Sequence, residues 1–206
     1  MSTSTPVKTA GTVLLTTQQI QSNTVVVGSA VDLSGKLAAQ IFVNAGRVPT
    51  GSLVSGNAPV FTLQGLSGGT NWVPIYTWTT ANHIYVANAQ TMTSNAAAGA
   101  VTLQLSAALG SALSAPILVY DSATPANSEW TWQQQASTNP TLNQSLANAH
   151  NSGSGILVSH AEQWSFPIDT SGITSVRFVV NNVWNAVAAP YMVQATINTL
   201  DNITTV

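Results

Sequence analysis

No cysteine occurs in the 206 residues, which excludes disulfides, thiolate metal sites and cysteine nucleophiles together while leaving the compartment open. Charge is nearly absent as well. Four Lys/Arg and six Asp/Glu make up 5% of the chain, against roughly 25% in an ordinary soluble domain. Ser, Thr, Asn, Gln and Gly must therefore supply the polar surface. Such a surface has little self-repulsion to keep copies apart and gains little from ionic steering. It suits close, salt-insensitive packing in an assembly better than free diffusion. The cations Lys8, Lys36, Arg47 and Arg177 are scattered through a chain of net charge −2. They build no basic stripe to release phosphate counterions, so no nucleic-acid partner is expected. Long apolar runs are missing too, since none approaches the roughly 20 residues that span a bilayer. The start MSTSTPVKTAG has no charged stretch followed by an apolar one. No membrane partner is expected, and the chain reads as a soluble product made in a cytoplasm.

Signatures of chemistry are equally scarce. His83, His150 and His160 have no metal-ligand spacing, and His160-Ala161-Glu162 could place two ligand atoms on one strand face without supplying a third. Gly153-Ser154-Gly155 lacks the spacing of a nucleophile elbow, and no Gly-rich phosphate loop is present. Asp32 and Asp169 sit in turn sequences, which leaves Asp121, Glu129, Glu162 and Asp201 for any acid/base pair. A glycosidase would need two of them about 5–10 Å apart across a cleft, and spacing along the chain does not show this. No catalytic, cofactor-binding or metal residue is assigned, no cofactor is expected, and no enzymatic activity is expected.

What the sequence does contain is turn and strand grammar. Asp169-Thr-Ser-Gly172 favours a tight turn, because Asp and Ser side chains bond the backbone ahead and Gly accepts positive φ. A β-branched run over Thr174–Asn181 follows. The same pattern occurs at Asp32-Leu-Ser-Gly35, leading to Ile41-Phe-Val-Asn44, and the two copies align without a gap. Either an internal repeat or convergent turn chemistry produces such a match. If the second copy lies in a central sheet, a β-branched substitution at Gly172 is expected to cost more than one at Gly35.

Further strands are expected at Val13–Leu15, Thr24–Val27, Leu37–Asn44, Val60–Leu63 and Trp72–Trp78, with Gly65–Gly69 as a hairpin-like connection. Pro116–Tyr120 is a short apolar run, and Trp130 and Trp132 alternate with polar residues so that both indoles share one strand face. Leu142–His150 reads as a short helix and Asn151–Gly155 as a linker. Ile156–Val158 and Gln163–Phe166 are expected to rejoin the main framework. Over the last strand, Tyr191, Val193, Ala195 and Ile197 face one way and Met192, Gln194, Thr196 and Asn198 the other. The fold class expected is all-β, an antiparallel β-sandwich of jelly-roll-like topology with a small inserted β subdomain. Its divisions are a flexible N-terminal arm over 1–10, a discontinuous sandwich over 11–91 and 156–206, and an insert over 92–155.

Six tryptophans, Trp72, Trp78, Trp130, Trp132, Trp164 and Trp184, could stack on sugar rings, but in a sandwich such residues more often fill core or interface. Arg47 and Arg177 are expected to pair with turn carboxylates or peptide carbonyls.

The succession GSAVDLSGKLAAQIFVNAGR, a Gly-rich loop with Trp72, AAAGAVTLQL, ANSEW, Leu142–His150, AEQW and DTSGITSVRFVVNN resembles a group of small β-rich proteins encoded among bacteriophage virion structural genes. The resemblance spans most of the chain after about residue 24, and this chain is poorer in charge than the group. It implies a non-enzymatic virion component, a head decoration or cement protein that binds and stabilises the major capsid protein shell of the same phage. It also implies an oligomer, assembled in the host cytoplasm and located in the virion, and it transfers no site residues. The alternative is a neck, tail or fibre component that binds a host glycan or receptor through exposed Trp.

Overall fold

The computed structural model describes residues 8–48, 58–80, 89–110, 114–183 and 190–201. The chain is all-β. Its strands are β1 (Lys8–Ile20), β2 (Val25–Val27), β3 (Val31–Asp32), β4 (Lys36–Arg47), β5 (Val60–Leu66), β6 (Trp72–Thr79), β7 (Gln90–Met92), β8 (Ala115–Asp121), β9 (Glu129–Gln133), β10 (Gly153–His160), β11 (Glu162–Ile168), β12 (Ser175–Asn181) and β13 (Tyr191–Asp201). Sheet A has the order β1-β13-β4-β11, sheet B the order β2-β12-β5-β6 with β3 also on β12, and sheet C the order β7-β10-β8-β9. Every pairing is antiparallel.

Sheets A and B face each other across one core. Ile41 and Val43 of β4, Val193, Ala195 and Ile197 of β13, Phe61 and Leu63 of β5, and Val176, Phe178 and Val180 of β12 all bury inward. Their alternation with residues of the outer faces is the period-2 signature of strands with one face in the core. Within this core Phe61 lies against Trp78, Trp164 and Phe178, with ring centroids 5.7, 5.5 and 5.9 Å away. Counting β2 and β3 as one interrupted strand, the eight sandwich strands run 1-8-3-6 in sheet A and 2-7-4-5 in sheet B.

The two Asp-x-Ser-Gly copies take the same shape. Asp32 Oδ1 accepts from the Ser34 amide and Asp169 Oδ1 from the Ser171 amide, both at 2.8 Å. Gly35 and Gly172 have φ of 73° and 75°, as the third position of a type II turn requires. The amides of Lys36 and Ile173 close the turns onto the carbonyls of Leu33 and Thr170. The first turn carries the chain from β3 in sheet B to β4 in sheet A, and the second from β11 in sheet A to β12 in sheet B. They lie side by side, since Thr170 Oγ1 donates to the Lys36 carbonyl at 2.9 Å. The aligned residues Ile41 and Phe178, and Val43 and Val180, thus meet in one core from opposite sheets.

Both turns feed interior strands, so the structure removes the expected inequality between them. Val at Gly35 or at Gly172 is expected to cost about 1–3 kcal/mol through positive-φ strain, with the two variants melting within a few degrees of each other. Separate thermal melts of Gly35→Val and Gly172→Val check this.

Several boundaries differ from the sequence reading. Lys8–Ala10, expected in a flexible arm, begin β1, and Lys8 and Thr9 pair with Leu200 and Thr199; residues 1–7 of that arm lie outside the described residues. Ile156–Val158, expected in the sandwich, belong to β10, which pairs with β7 and β8 of sheet C. Sheet C therefore starts at Gln90 and ends at His160. The expected Leu142–His150 helix is absent. That segment is irregular, tied by single bridges of Gln133 with Leu142 and Ala96 with His150. The expected linker overlaps the start of β10.

Sheet C is a third layer. On one face Ile117 and Val119 of β8 and Ile156 and Val158 of β10 bury against Leu103, Leu105, Leu109, Leu142 and Leu146 from the loops. On the other, Leu118, Tyr120 and Trp130 pack with Val48, Ala161 and Met192, joining the insert to sheet A. Burial on both faces explains why β8 reads as an unbroken apolar run. A Cβ on Gly46 of β4 would lie 2.8 Å from Leu118 Cδ2, so glycine there lets sheet C come close.

Candidate functional site

Where sheet C meets the outer face of sheet A, a cleft of about 570 Å³ opens. Its floor is Asn44 of β4 and Gln194 of β13, which are register partners, with Thr17 of β1 beside them. Asn44 Nδ2 donates to Gln194 Oε1 at 3.2 Å. Beside the floor stands a wall built jointly by Ala126, Ser128, Glu129 and Trp130 and by Gln144, Ser145, Ala147 and Asn148.

The first part of this wall is shaped by the return from β8 to β9. Asp121 Oδ1 accepts from the amides of Ala123 and Thr124, both at 2.9 Å, and the Asp121 amide donates to Ser128 Oγ at 3.0 Å. A 3-10 turn over Pro125–Asn127 completes the reversal. Glu129 then holds the loop beside it: Oε2 accepts from the Ala147 amide at 2.6 Å, and Oε1 accepts from the Asn148 amide at 3.0 Å and lies 2.8 Å from His150 Nε2. An ionised carboxylate only accepts, so Nε2 carries the proton. Burial pushes the Glu129 carboxyl up, but the His150 bond and the two amides outweigh it and hold the group below its ordinary value. His150 is itself buried, and its Nδ1 has no hydrogen-bond partner among the described residues.

This pair has a pH consequence. A carboxylate depressed in the folded state stabilises fully above its unfolded range, near pH 4.3, and loses that contribution as pH falls through the depressed value. Glu129→Gln is expected to melt lower at neutral pH, by about 2 kcal/mol of stability. The deficit shrinks as pH falls through the depressed value, below the ordinary carboxylate range, where the wild type also protonates. Melting temperatures of both proteins from pH 3 to 7 check it, and parallel curves would sink it.

The other carboxylates have separate tasks. Asp32 and Asp169 accept turn bonds, which lower both. Asp201 is tied to Lys36 and accepts from Thr9 Oγ1, and the Lys36 bond lowers it. Glu129 is the one carboxylate lining the cleft among the described residues. The structure therefore does not bring Asp121, Glu129, Glu162 and Asp201 together there. His160 ends β10 and Glu162 begins β11, and His160, lowered by burial, bonds the Leu109 backbone. No group of three His, Cys, Asp or Glu that could hold a metal ion occurs among the described residues. His83 and Trp184 lie outside them.

Trp78 and Trp164 are partly buried against the sandwich core. Trp130 and Trp132 share the junction face of β9, where Trp132 Nε1 donates to Gln163 Oε1 of β11. Trp72 lies half-buried on the outer face of sheet B beneath Arg177, whose guanidinium carbon is 4.3 Å from the ring centroid. Arg177 Nε donates to Gln64 Oε1 at 2.8 Å, so a side-chain amide and an indole take the place of the carboxylate or peptide carbonyl expected from the sequence. Arg47 stands opposite Tyr191 in the ladder. The cleft was not legible in the sequence, since Asn44, Glu129, Gln144 and Gln194 carry no shared motif.

Comparison with protein-family models, with curated proteins and with solved structures finds no match for this chain.

Proposed function

We propose that the chain is a non-enzymatic structural protein of a bacteriophage virion, a decoration or cement protein that lies on the major capsid protein shell and stabilises it. The outer face of sheet B carries this reading. Val25 and Val27 are 53% and 51% exposed, and Val179 and Thr62 continue the row across β12 and β5. The one cation on these strands, Arg177, is occupied by Trp72 and Gln64. A β-branched, charge-poor face of this kind fits a tight and salt-insensitive contact. The sheet edges fit one less well: β6 and β11 carry Pro74 and Pro167, and β1 has three register shifts, devices that discourage strand addition. The strand order is read as that of a jelly roll, an architecture that viral capsid domains use.

Particles assembled without the protein are expected to keep their shape but rupture at lower temperature, and re-addition to restore them even at about 1 M salt. Val27→Asp with Val179→Asp is expected to abolish that rescue. Particles that are equally robust without the protein would overturn the proposal; if they instead fail to adsorb to host cells, the neck, tail or fibre reading replaces it.

A further inference from the structure

We infer that the cleft between sheets A and C is a binding site for a neutral carbohydrate. Its lining is mostly amides and hydroxyls, from Asn44, Gln194, Gln144, Asn148, Thr17 and Ser145 among others, with one carboxylate, two alanines and the buried Trp130. Each side-chain amide offers two donors and a carbonyl acceptor, and the bond between Asn44 and Gln194 uses only one donor and one acceptor. The remaining groups of the floor suit a ligand that both donates and accepts at closely spaced positions, which describes sugar hydroxyls. Trp130 is buried in the junction core and shows the cleft only a small part of its surface.

Charge excludes an anionic ligand. No Lys, Arg or His lines the cleft, and Glu129 does; its carboxyl is held ionised by two amides and His150. An acidic sugar, phosphate or sulfate would meet repulsion with no counter-charge. A peptide is poorly served as well. β4 and β13 are interior strands with both ladders filled, so no backbone edge is on offer for strand addition. The volume of about 570 Å³ lies within the ordinary range of small-molecule sites, roughly 300–1,000 Å³. The wall is fixed before any ligand arrives, because Glu129 clips the Ala147–Asn148 segment directly to β9.

This site is separate from the outer face of sheet B, so it stands whether or not the protein lies on a shell. The test is an array of neutral gluco-, galacto- and N-acetylglucosamine-based oligosaccharides printed beside sialylated and sulfated ones, followed by titration of the best binder. At least one neutral oligosaccharide is expected to bind. Asn44→Ala combined with Gln194→Ala is expected to raise its Kd about tenfold or more, as loss of two hydrogen-bonding side chains implies. Ser145→Trp, on an exposed wall position, is expected to block binding by filling the cleft, which keeps the test decisive if the double variant does not fold. Trp72→Ala, far from the cleft on sheet B, is expected to leave it unchanged. No neutral binder, binding of acidic sugars only, or binding that survives Ser145→Trp would each overturn the inference.

Discussion

Phe61→Ala is expected to lower stability by about 3–5 kcal/mol, a fall in melting temperature of roughly 6–20 °C for a chain of this size. Phe61 is fully buried and is the ring that links Trp78, Trp164 and Phe178 across the sandwich. Removing it leaves a cavity among large rigid rings that cannot collapse into the space, and it deletes three aromatic contacts worth about 0.5–1.5 kcal/mol each. Phe61→Leu keeps more of the volume and is expected to lose clearly less. Equal melting temperatures for wild type and Phe61→Ala would show that the core does not close around this ring.

Gly28→Ala is the second large effect, and its sign runs against habit. At an unstrained site Gly→Ala stabilises by about 0.4–1 kcal/mol, through the unfolded chain. Here a Cβ would sit 2.1 Å from the carbonyl oxygen of Leu14, a backbone atom that has no rotamer to move away. That same carbonyl accepts from the Ser29 amide at 2.8 Å, and the Gly28 amide donates to the Phe178 carbonyl at 2.8 Å. The first joins β1 of sheet A to the interruption between β2 and β3, and the second ties that interruption to β12 within sheet B. Relieving the overlap separates the sheets at that edge, so the expected cost is about 3 kcal/mol. Chemical denaturation of Gly28→Ala beside Gly69→Ala, where the nearest atom is 3.8 Å away, checks it; Gly69→Ala is expected near neutral.

The elements that the sequence makes legible are those whose cause is local. Asp32 and Asp169 bond amides two residues on, and Gly35 and Gly172 turn the chain, so both corners could be read from four residues each. The alternation in β13 and the shared face of Trp130 and Trp132 follow from the period of a strand. Failures occur where the cause is distant. Leu142 and Leu146 stand four apart like one face of a helix, yet two separate loop dips bring them to the small core of sheet C. Ile156–Val158 reads as a strand correctly, but alternation does not say which sheet a strand joins. Glu129 and His150 are separated by 21 residues, and Asn44 and Gln194 by 150. Neither pairing leaves a spacing that could be recognised before folding.

The position of β13 has a consequence for synthesis. The last described strand to leave the ribosome lies between β1, the first, and β4. Until residues 191–201 emerge, both neighbours keep an unpaired edge, and the inward residues of sheet A have no continuous surface to pack on. Sheet A therefore cannot close before residues 191–201 have emerged, although the hairpin of β5 and β6 can. Closing a contact such as Lys8 with Leu200 spans nearly the whole chain, so folding is expected to be slow and late. The nascent protein remains exposed to mispairing with other copies until that strand has emerged and paired.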